Sequence, residues 1–560
     1  MTEILRDKRL KKEFLNLFLH FLIYFLIFVS TIVLYIVLKP RLREFKIRNI
    51  WWRNDEKGVK PQDLAHFLLL VSLSIVAIKF LISKRIKTSY KITILLSIGY
   101  VLKLGYALYT PVGHRQHDVW GDSSWDYGHE GYAWTFYSTG KFPTTNEGQF
   151  YHPPLNAVMQ AGFMKLFNQI TLFVQKIDAN FSISSYLDGK PGYIDDYRYY
   201  LYSSCNVLSV MYSFIASFVM VKTLILMGIK GRGLALSSAI VVLFPRLIIF
   251  AGALNNDPLA FTLCIIALYY SVKWWKNGKK WGNMLLIAIF IGLATSTKLN
   301  SAIICIPIAF VFIYEFIRSC GKKENALPVK TIILQFVAFL VICVPLVFWH
   351  TVFAYKKYGQ KFGYVWGESG LNPALETGAH SFFQRFILCT DKEQYIGSVW
   401  AKPFNFHYNV LNFAIRTALM GEYEYLNFEC LAVNAIAFSF LFLILFLVTT
   451  IYSAISFGRK DFKEKSQKSR ENVADFIFVC ILAFSQILAF IYFNIKMPYA
   501  CTMDFRYIMP LILVFAIGVG KFENRYSASG NKVGKVMSSI TFSLAIITLV
   551  ATSSLYFLFA

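Results

Sequence analysis

Residues Arg115–Leu155 read RQHDVWGDSSWDYGHEGYAWTFYSTGKFPTTNEGQFYHPPL, a polar and aromatic insertion in a chain that is otherwise lipid-grade helix. Around it, apolar runs near twenty residues recur along 560 residues, of which 56% are hydrophobic and 16% charged. Mean hydropathy is +0.49. Runs of that length cross a hydrocarbon core of roughly 30 Å as helices. Continuous Leu/Ile/Phe runs exclude a closed barrel, whose short strands alternate apolar and polar residues. The fold class expected is therefore an all-α polytopic membrane protein.

A net charge of +25 would suggest a nucleic-acid partner in a soluble protein. Here Lys and Arg cluster in short connections between spans, where positive-inside topology and anionic headgroups account for them. The bilayer is the expected partner, and nucleic acid is not. Thirteen spans are expected, near residues 14–38, 64–83, 92–110, 203–227, 234–251, 258–275, 283–297, 300–317, 331–352, 430–455, 474–493, 506–521 and 536–559. With a cytoplasmic N-terminus, the connections 84–91, 228–233, 276–282, 318–330, 456–473 and 522–535 are all inner and all basic. The basic loop 39–63 falls on the other face, and is expected along the interface with Trp51 and Trp52 as anchors. The first apolar run is too long for a signal-peptide core and is read as a retained span. Scattered cysteines without a CxxC pair indicate neither a disulfide framework nor a zinc site.

This reading divides the chain into spans 1–3 (1–110), a first large extracytoplasmic loop (111–202), a central bundle (203–352), a second large loop (353–429) and C-terminal spans (430–560). Both loops are rich in Trp, Tyr, Gly and Pro, and short amphipathic helices are expected near His129–Tyr137 and Asn156–Phe167. The protein is placed in the cell membrane, with its chemistry on the extracytoplasmic face.

The first loop collects His117, Asp118, Asp122, Asp126, His129, Glu130 and His152. Asp118 follows the third span closely, where a carboxylate can deprotonate an acceptor hydroxyl or amine; a capping or solvated Asp explains it equally well. His117 could orient substrate or share a proton, although a lone His is more often structural. In Tyr151-His152-Pro153-Pro154-Leu155 the diproline suits the first turn of a new helix, holding His152 at its N-terminus. Arg246, Lys298 and Arg506 stand within membrane depth, where cations are costly and face a cavity or an anion. All three would suit a phosphate-bearing lipid, and snorkelling at span ends is the plainer account. Asn255-Asn256-Asp257-Pro258 makes a sharp turn and helix start, and could line the same cavity. Asp122, Asp126 and Glu130 leave a divalent cation open, against a solvated acidic face. No other cofactor is implied.

Taken together, His117-Asp118, Gly128-His129, Tyr132, Gly140, Phe142-Pro143 and Tyr151–Leu155 resemble the first external loop of GT-C-type glycosyltransferases. The pattern is that of family 39, the dolichyl-phosphate-mannose protein mannosyltransferases, in its bacterial branch. LNNDPL at 254–259, TKLNS at 297–301 and FRYIMP at 505–510 are also similar to that branch. The resemblance implies a GT-C-like bundle and transfer of one sugar, with inversion, from a polyprenyl-phosphate-linked donor. It implies Asp118 as catalytic base with His117 beside it. His129, Tyr132, Tyr151, His152, Asn256 and Asp257 would then bind substrate, and Arg506, Tyr507, Lys298 and Arg246 the lipid phosphate. The acceptor stays open among protein, lipid and glycan. Val119 stands where the family carries a second acid, and two extra spans precede the loop. Trp125–Gly128 also matches part of an oligosaccharyltransferase motif, which in that family belongs to a soluble domain absent here. A transporter or lipid-linked glycan flippase is the rival reading; it should show paired half-structures and broken helices. A polymerase or ligase moving whole lipid-linked glycans and a noncatalytic scaffold are the others.

Overall fold

The structure is a computed structural model that describes residues 22–39, 61–112, 121–122, 125–126, 128–144, 150–178, 181–187, 190, 192, 194–323, 326–360, 376–387, 393–396, 407–422, 437, 440, 444, 447, 467–527 and 532–559. At 61–67, 121–122, 125–126, 185, 393, 396, 467–469 and 554–559 only the backbone course is described. The expected interfacial loop 39–63 with Trp51 and Trp52, and most of the expected span 430–455, lie outside the described residues.

The chain is an all-α polytopic membrane protein. Among the described residues, eight helices are long and apolar enough to cross a membrane, or up to ten if each of two bent pairs counts as one span. Helix α1 (Leu22–Lys39) is followed by α2 (Pro61–Ile82) and α3 (Thr88–Tyr109). Next come α4 (His129–Thr139), α5 (Leu155–Ile177), α6 (Asp196–Ser204) and α7 (Asn206–Leu226). The central bundle continues with α8 (Gly231–Leu243), α9 (Pro245–Ile249), α10 (Asp257–Lys276), α11 (Trp281–Thr295), α12 (Cys305–Cys320) and α13 (Val329–Tyr358). Short helices α14 (Phe382–Phe386), α15 (Glu393–Ile396) and α16 (Val410–Leu419) precede α17 (Gln467–Lys496), α18 (Leu511–Tyr526) and α19 (Lys532–Phe559). The expected helix near 156–167 starts at Leu155 and extends to Ile177, with Ala157, Ala161, Met164 and Phe167 packed inward and the last turns largely exposed.

The stretch Asp196–Leu226 (α6 and α7) and α10 form the interior, with 72% and 78% of their most apolar residues buried. Helix α13 instead exposes Ile333, Leu334, Val337, Leu340, Val341 and Val344. An apolar surface of this kind is stable against lipid, which competes for no hydrogen bonds. Helices α8 and α18 cross closely where Gly233 meets Gly520: a Cβ on Gly233 would lie 2.6 Å from the Gly520 carbonyl oxygen.

Two spans are broken rather than continuous. The expected span 234–251 stops at Leu243, because Pro245 cannot donate the next helical hydrogen bond, and the following helix turns by 42°. The carbonyl of Val242 in that last turn accepts from the buried Lys103 ammonium at 2.7 Å. The expected span 506–521 likewise starts late. Arg506 sits in a 3-10 turn, Phe505–Ile508, which joins α18 at a bend of 45°.

Gly233→Leu should lower the stability of the protein by about 1–3 kcal/mol through overpacking, read as an earlier melting transition in detergent. Gly162→Leu, with open space around its Cβ position, should melt like the wild type. Equal melting of both variants would contradict the close α8–α18 crossing.

Candidate active site

Three turns at one end of the bundle build a charged cluster. Asn255 Oδ1 accepts the Asp257 backbone N–H at 2.9 Å, and Pro258 occupies a first-turn position that needs no N–H, so α10 begins here. The Asp257 carboxylate thus stands at a helix N-terminus, where the macrodipole favours negative charge. After α11 ends, Lys298 takes an extended backbone (φ −156°) before the 3-10 turn Leu299–Ile304. Asn256 Nδ2 donates to the Thr297 carbonyl at 3.2 Å and ties the two turns together. Lys298 Nζ then lies 2.5 Å from Asp257 Oδ1. The third turn is capped by Asp504, whose Oδ1 accepts the Arg506 N–H at 2.7 Å. This brings Arg506 Nε to 3.7 Å from Asp257 Oδ2. The Tyr507 ring lies beneath both cations, 4.6 Å from Lys298 Nζ and 5.4 Å from Arg506 Cζ.

The loop motif docks on the same turns. Helix α5 starts at Leu155, whose N–H donates to the Ser296 carbonyl at 3.2 Å. The Asn156 amide donates to Asn255 O at 3.3 Å, and the Gln160 amide to Leu254 O at 2.6 Å. His152 therefore comes next to Lys298. Its carbonyl accepts from the Tyr132 hydroxyl at 2.9 Å, and its ring stacks on His129 with centroids 5.5 Å apart and 18° between planes. Tyr151 tilts over His152 at 4.3 Å. Burial, then the charges of Lys298 and Arg506, push His129 down to about 3. Burial, then His129 and Lys298, hold His152 well below the ordinary histidine value. Both imidazoles are neutral at physiological pH.

His129, Tyr132, Tyr151, His152, Asn256, Asp257, Lys298, Arg506 and Tyr507 are thus gathered in one region. Arg246 is not part of that group. It is fully buried, with NH2 donating to both Asp504 oxygens at 2.8 and 2.9 Å and NH1 to the Thr417 carbonyl at 3.1 Å. Both terminal nitrogens of this guanidinium are engaged, and its charge also acts on Asp257. Asp118 and His117 lie outside the described residues, as do the side chains of Asp122 and Asp126. Glu130 is fully buried and accepts the Gly128 N–H at 3.3 Å, so it is not on a solvated acidic face. Among the described residues no group of three His, Cys, Asp or Glu side chains could hold a metal ion.

Two residues escaped the sequence reading. Asp504 supplies the anion that a buried Arg246 demands, and its place two residues before Arg506 was the available signal. His350 on α13 is 2% exposed, its Nε2 has no hydrogen-bond partner, and its charge acts on His152. It hides in an apolar run, VPLVFWHTVF, where nothing marks it in one dimension. Chemically, the region offers two cations for one anionic group and neutral imidazoles that donate and accept beside it.

Residues 121–356 match the family model described as dolichyl-phosphate-mannose-protein mannosyltransferase. No curated protein matches the chain.

Two outcomes follow. Arg246→Met should destabilise the protein by about 3–5 kcal/mol by leaving Asp504 buried and unpaired, and Arg246→Met with Asp504→Leu should recover much of that loss. Thermal melting in detergent tests this; additive losses would contradict the pairing. Protons bind the unfolded histidines near pH 6.5 but not the folded His129. Stability from His129 is therefore complete above that value and declines as pH falls toward 3. Labelled-histidine NMR should show the His129 and His152 rings unshifted from pH 8 to 5, and titration near 6.5 would refute their enclosure.

Proposed function

From a chain that carries the dolichyl-phosphate-mannose-protein mannosyltransferase domain, and is thus a membrane glycosyltransferase of the GT-C type using a lipid-linked sugar donor, we propose a finer reading. The protein moves a single sugar from a polyprenyl-phosphate carrier to an acceptor at the extracytoplasmic face, with inversion at the anomeric carbon. Lys298 and Arg506 hold the carrier phosphate, Tyr507 supports both, and His129 and His152 face the sugar or acceptor. Asp118 is the general base.

The observation that carries this reading is the convergence of Lys298 and Arg506 from distant turns beside the loop histidines. A leaving phosphate is already a stable anion, so catalysis needs fixed positive charge more than a proton donor. A single carboxylate base suffices for direct displacement, unlike the two carboxyl groups of glycoside hydrolases. An apolar cavity of about 510 Å³, lined by Phe244, Phe386, Leu411, Ile487, Phe505 and Phe515 among others, adjoins the Arg506 turn and suits a prenyl chain.

The two broken spans are the one observation that favours a flippase, since transporters build binding sites on such breaks. Here both breaks are tied to each other through the buried Arg246–Asp504 pair.

The test is a transfer assay with detergent-purified protein and a short polyprenyl-phosphate sugar, a setting in which a flippase has nothing to do. Asp118→Asn should abolish transfer while donor binding persists. Arg506→Ala should weaken donor binding by about 2–3 kcal/mol, as for a lost charge-assisted contact. Unchanged turnover in the first variant removes the base, and unchanged donor affinity in the second removes the phosphate ligand.

A further inference from the structure

The cluster holds a carboxylate where an anion is to bind, and that needs a reason. Asp257 is 4% exposed and lies against both Lys298 and Arg506. A neutral hydrogen-bonding side chain would support the two cations at less cost to anion affinity. The surrounding charges do not offset it. Arg246 and Asp504 neutralise each other at 2.8 Å. Glu422, whose charge acts on Arg506, has the Arg416 guanidinium donating to its own carbonyl at 3.3 Å. Among the described residues, Lys298, Arg506, Arg246 and Arg416 face Asp257, Asp504 and Glu422, so one positive charge remains. His129 and His152 add none, and Tyr507 stays a neutral phenol.

We propose that Asp257 sets the product selectivity of the site: it holds the Lys298–Arg506 cluster at one net positive charge, matched to a phosphodiester donor and not to the phosphomonoester left after transfer. The inference rests on the lipid-phosphate reading above. In the donor, phosphorus bridges prenyl chain and sugar, and the diester carries one negative charge. The acceptor oxygen forms a bond to the anomeric carbon as the bond from that carbon to the phosphate oxygen breaks. The bonding pair stays on the phosphate, and the acceptor proton passes to the carboxylate base. The product is a prenyl phosphate with about 1.5–2 negative charges at pH 7. A cluster with two uncompensated cations would bind that product more tightly than the donor it must admit next. With Asp257 in place the one remaining positive charge still attracts the dianion more, and the larger cost of stripping water from the dianion offsets that attraction. Its Oδ2 and the Arg506 Nε have no hydrogen-bond partner, and both border a cavity of about 30 Å³ lined also by Ser301 and Gln486. A phosphate oxygen can therefore reach Arg506 from that cavity without expelling the carboxylate.

The experiment compares two probes on the full-length protein in detergent: farnesyl phosphate, and its methyl diester, which has one charge fewer above pH 7. Wild-type protein should bind the two with affinities within about threefold, and Asp257→Asn should shift their ratio about tenfold toward the monoester, the scale of one removed charge at close range. Asp257→Glu should restore the wild-type ratio, which a purely structural role would not require. A ratio unmoved in Asp257→Asn overturns the inference. Should that variant fail to fold, the wild type alone decides. Its affinity for farnesyl phosphate should be nearly flat between pH 5.5 and 7.5, across the second phosphate ionisation near pH 6. Tightening by about tenfold or more over that range, as for an unbalanced site, also overturns it. If neither probe binds, or Arg506→Ala weakens neither, the lipid-phosphate reading itself has failed. If both bind through Arg506 and only the ratio is insensitive to Asp257, that reading stands and this inference alone falls.

Discussion

One carboxylate shared between two cations organises one end of this protein. Asp257 begins α10, Lys298 follows α11 and Arg506 precedes α18, so a single acid joins turns that are far apart in sequence. In a bilayer this constraint is strict, since an unpaired charge at membrane depth has no water to turn to. The polar side chains of the central bundle must therefore find each other, and where they meet is where a charged ligand can be received. The loop helix α5 is set on the same turns by backbone acceptors at Leu254, Asn255 and Ser296. Moving either of the Asp257 and Lys298 turns would displace α5, and with it His152, along with the cations.

The broken spans serve the same arrangement. Pro245 and Pro510 each stand at a break, and the short segment after Pro245 carries Arg246 while the one before Pro510 carries Arg506. Asp504 accepts from Arg246 with its side chain and from the Arg506 backbone with the same carboxylate. The inner pair is buried and neutral, and in the outer group the Arg506 Nε has no hydrogen-bond partner. Fixed charge aimed at a site before substrate arrives needs no reorganisation during reaction, which is the usual electrostatic advantage of enzymes over water.

Much of this was legible in one dimension. Apolar runs near twenty residues marked the spans, and the polar insertion at 115–155 marked where chemistry gathers. Lys298 and Arg506 stood out because charge inside apolar sequence must be compensated. What the chain did not disclose was which anion each cation takes. Arg246 and Arg506 look alike in sequence, and only the fold shows that Asp504 occupies the first while Asp257 leaves the second available. Breaks were half visible: Pro245 was in view, but an interior Pro can also be absorbed, as Pro345 is within α13. His350 could not be found, because an apolar neighbourhood marks a membrane helix whether or not one face meets a polar site. Asp118 and His117 rest on the family resemblance, being outside the described residues.

The most direct measurement is a cryo-EM structure of the purified protein with a bound polyprenyl-phosphate sugar. The account predicts phosphate density within hydrogen-bonding reach of Lys298 and Arg506, the sugar against His129 and His152, and Arg246 still paired with Asp504. Phosphate density at the opposite end of the bundle, beside Lys276 and Lys521 where Asp475 is paired, would contradict it.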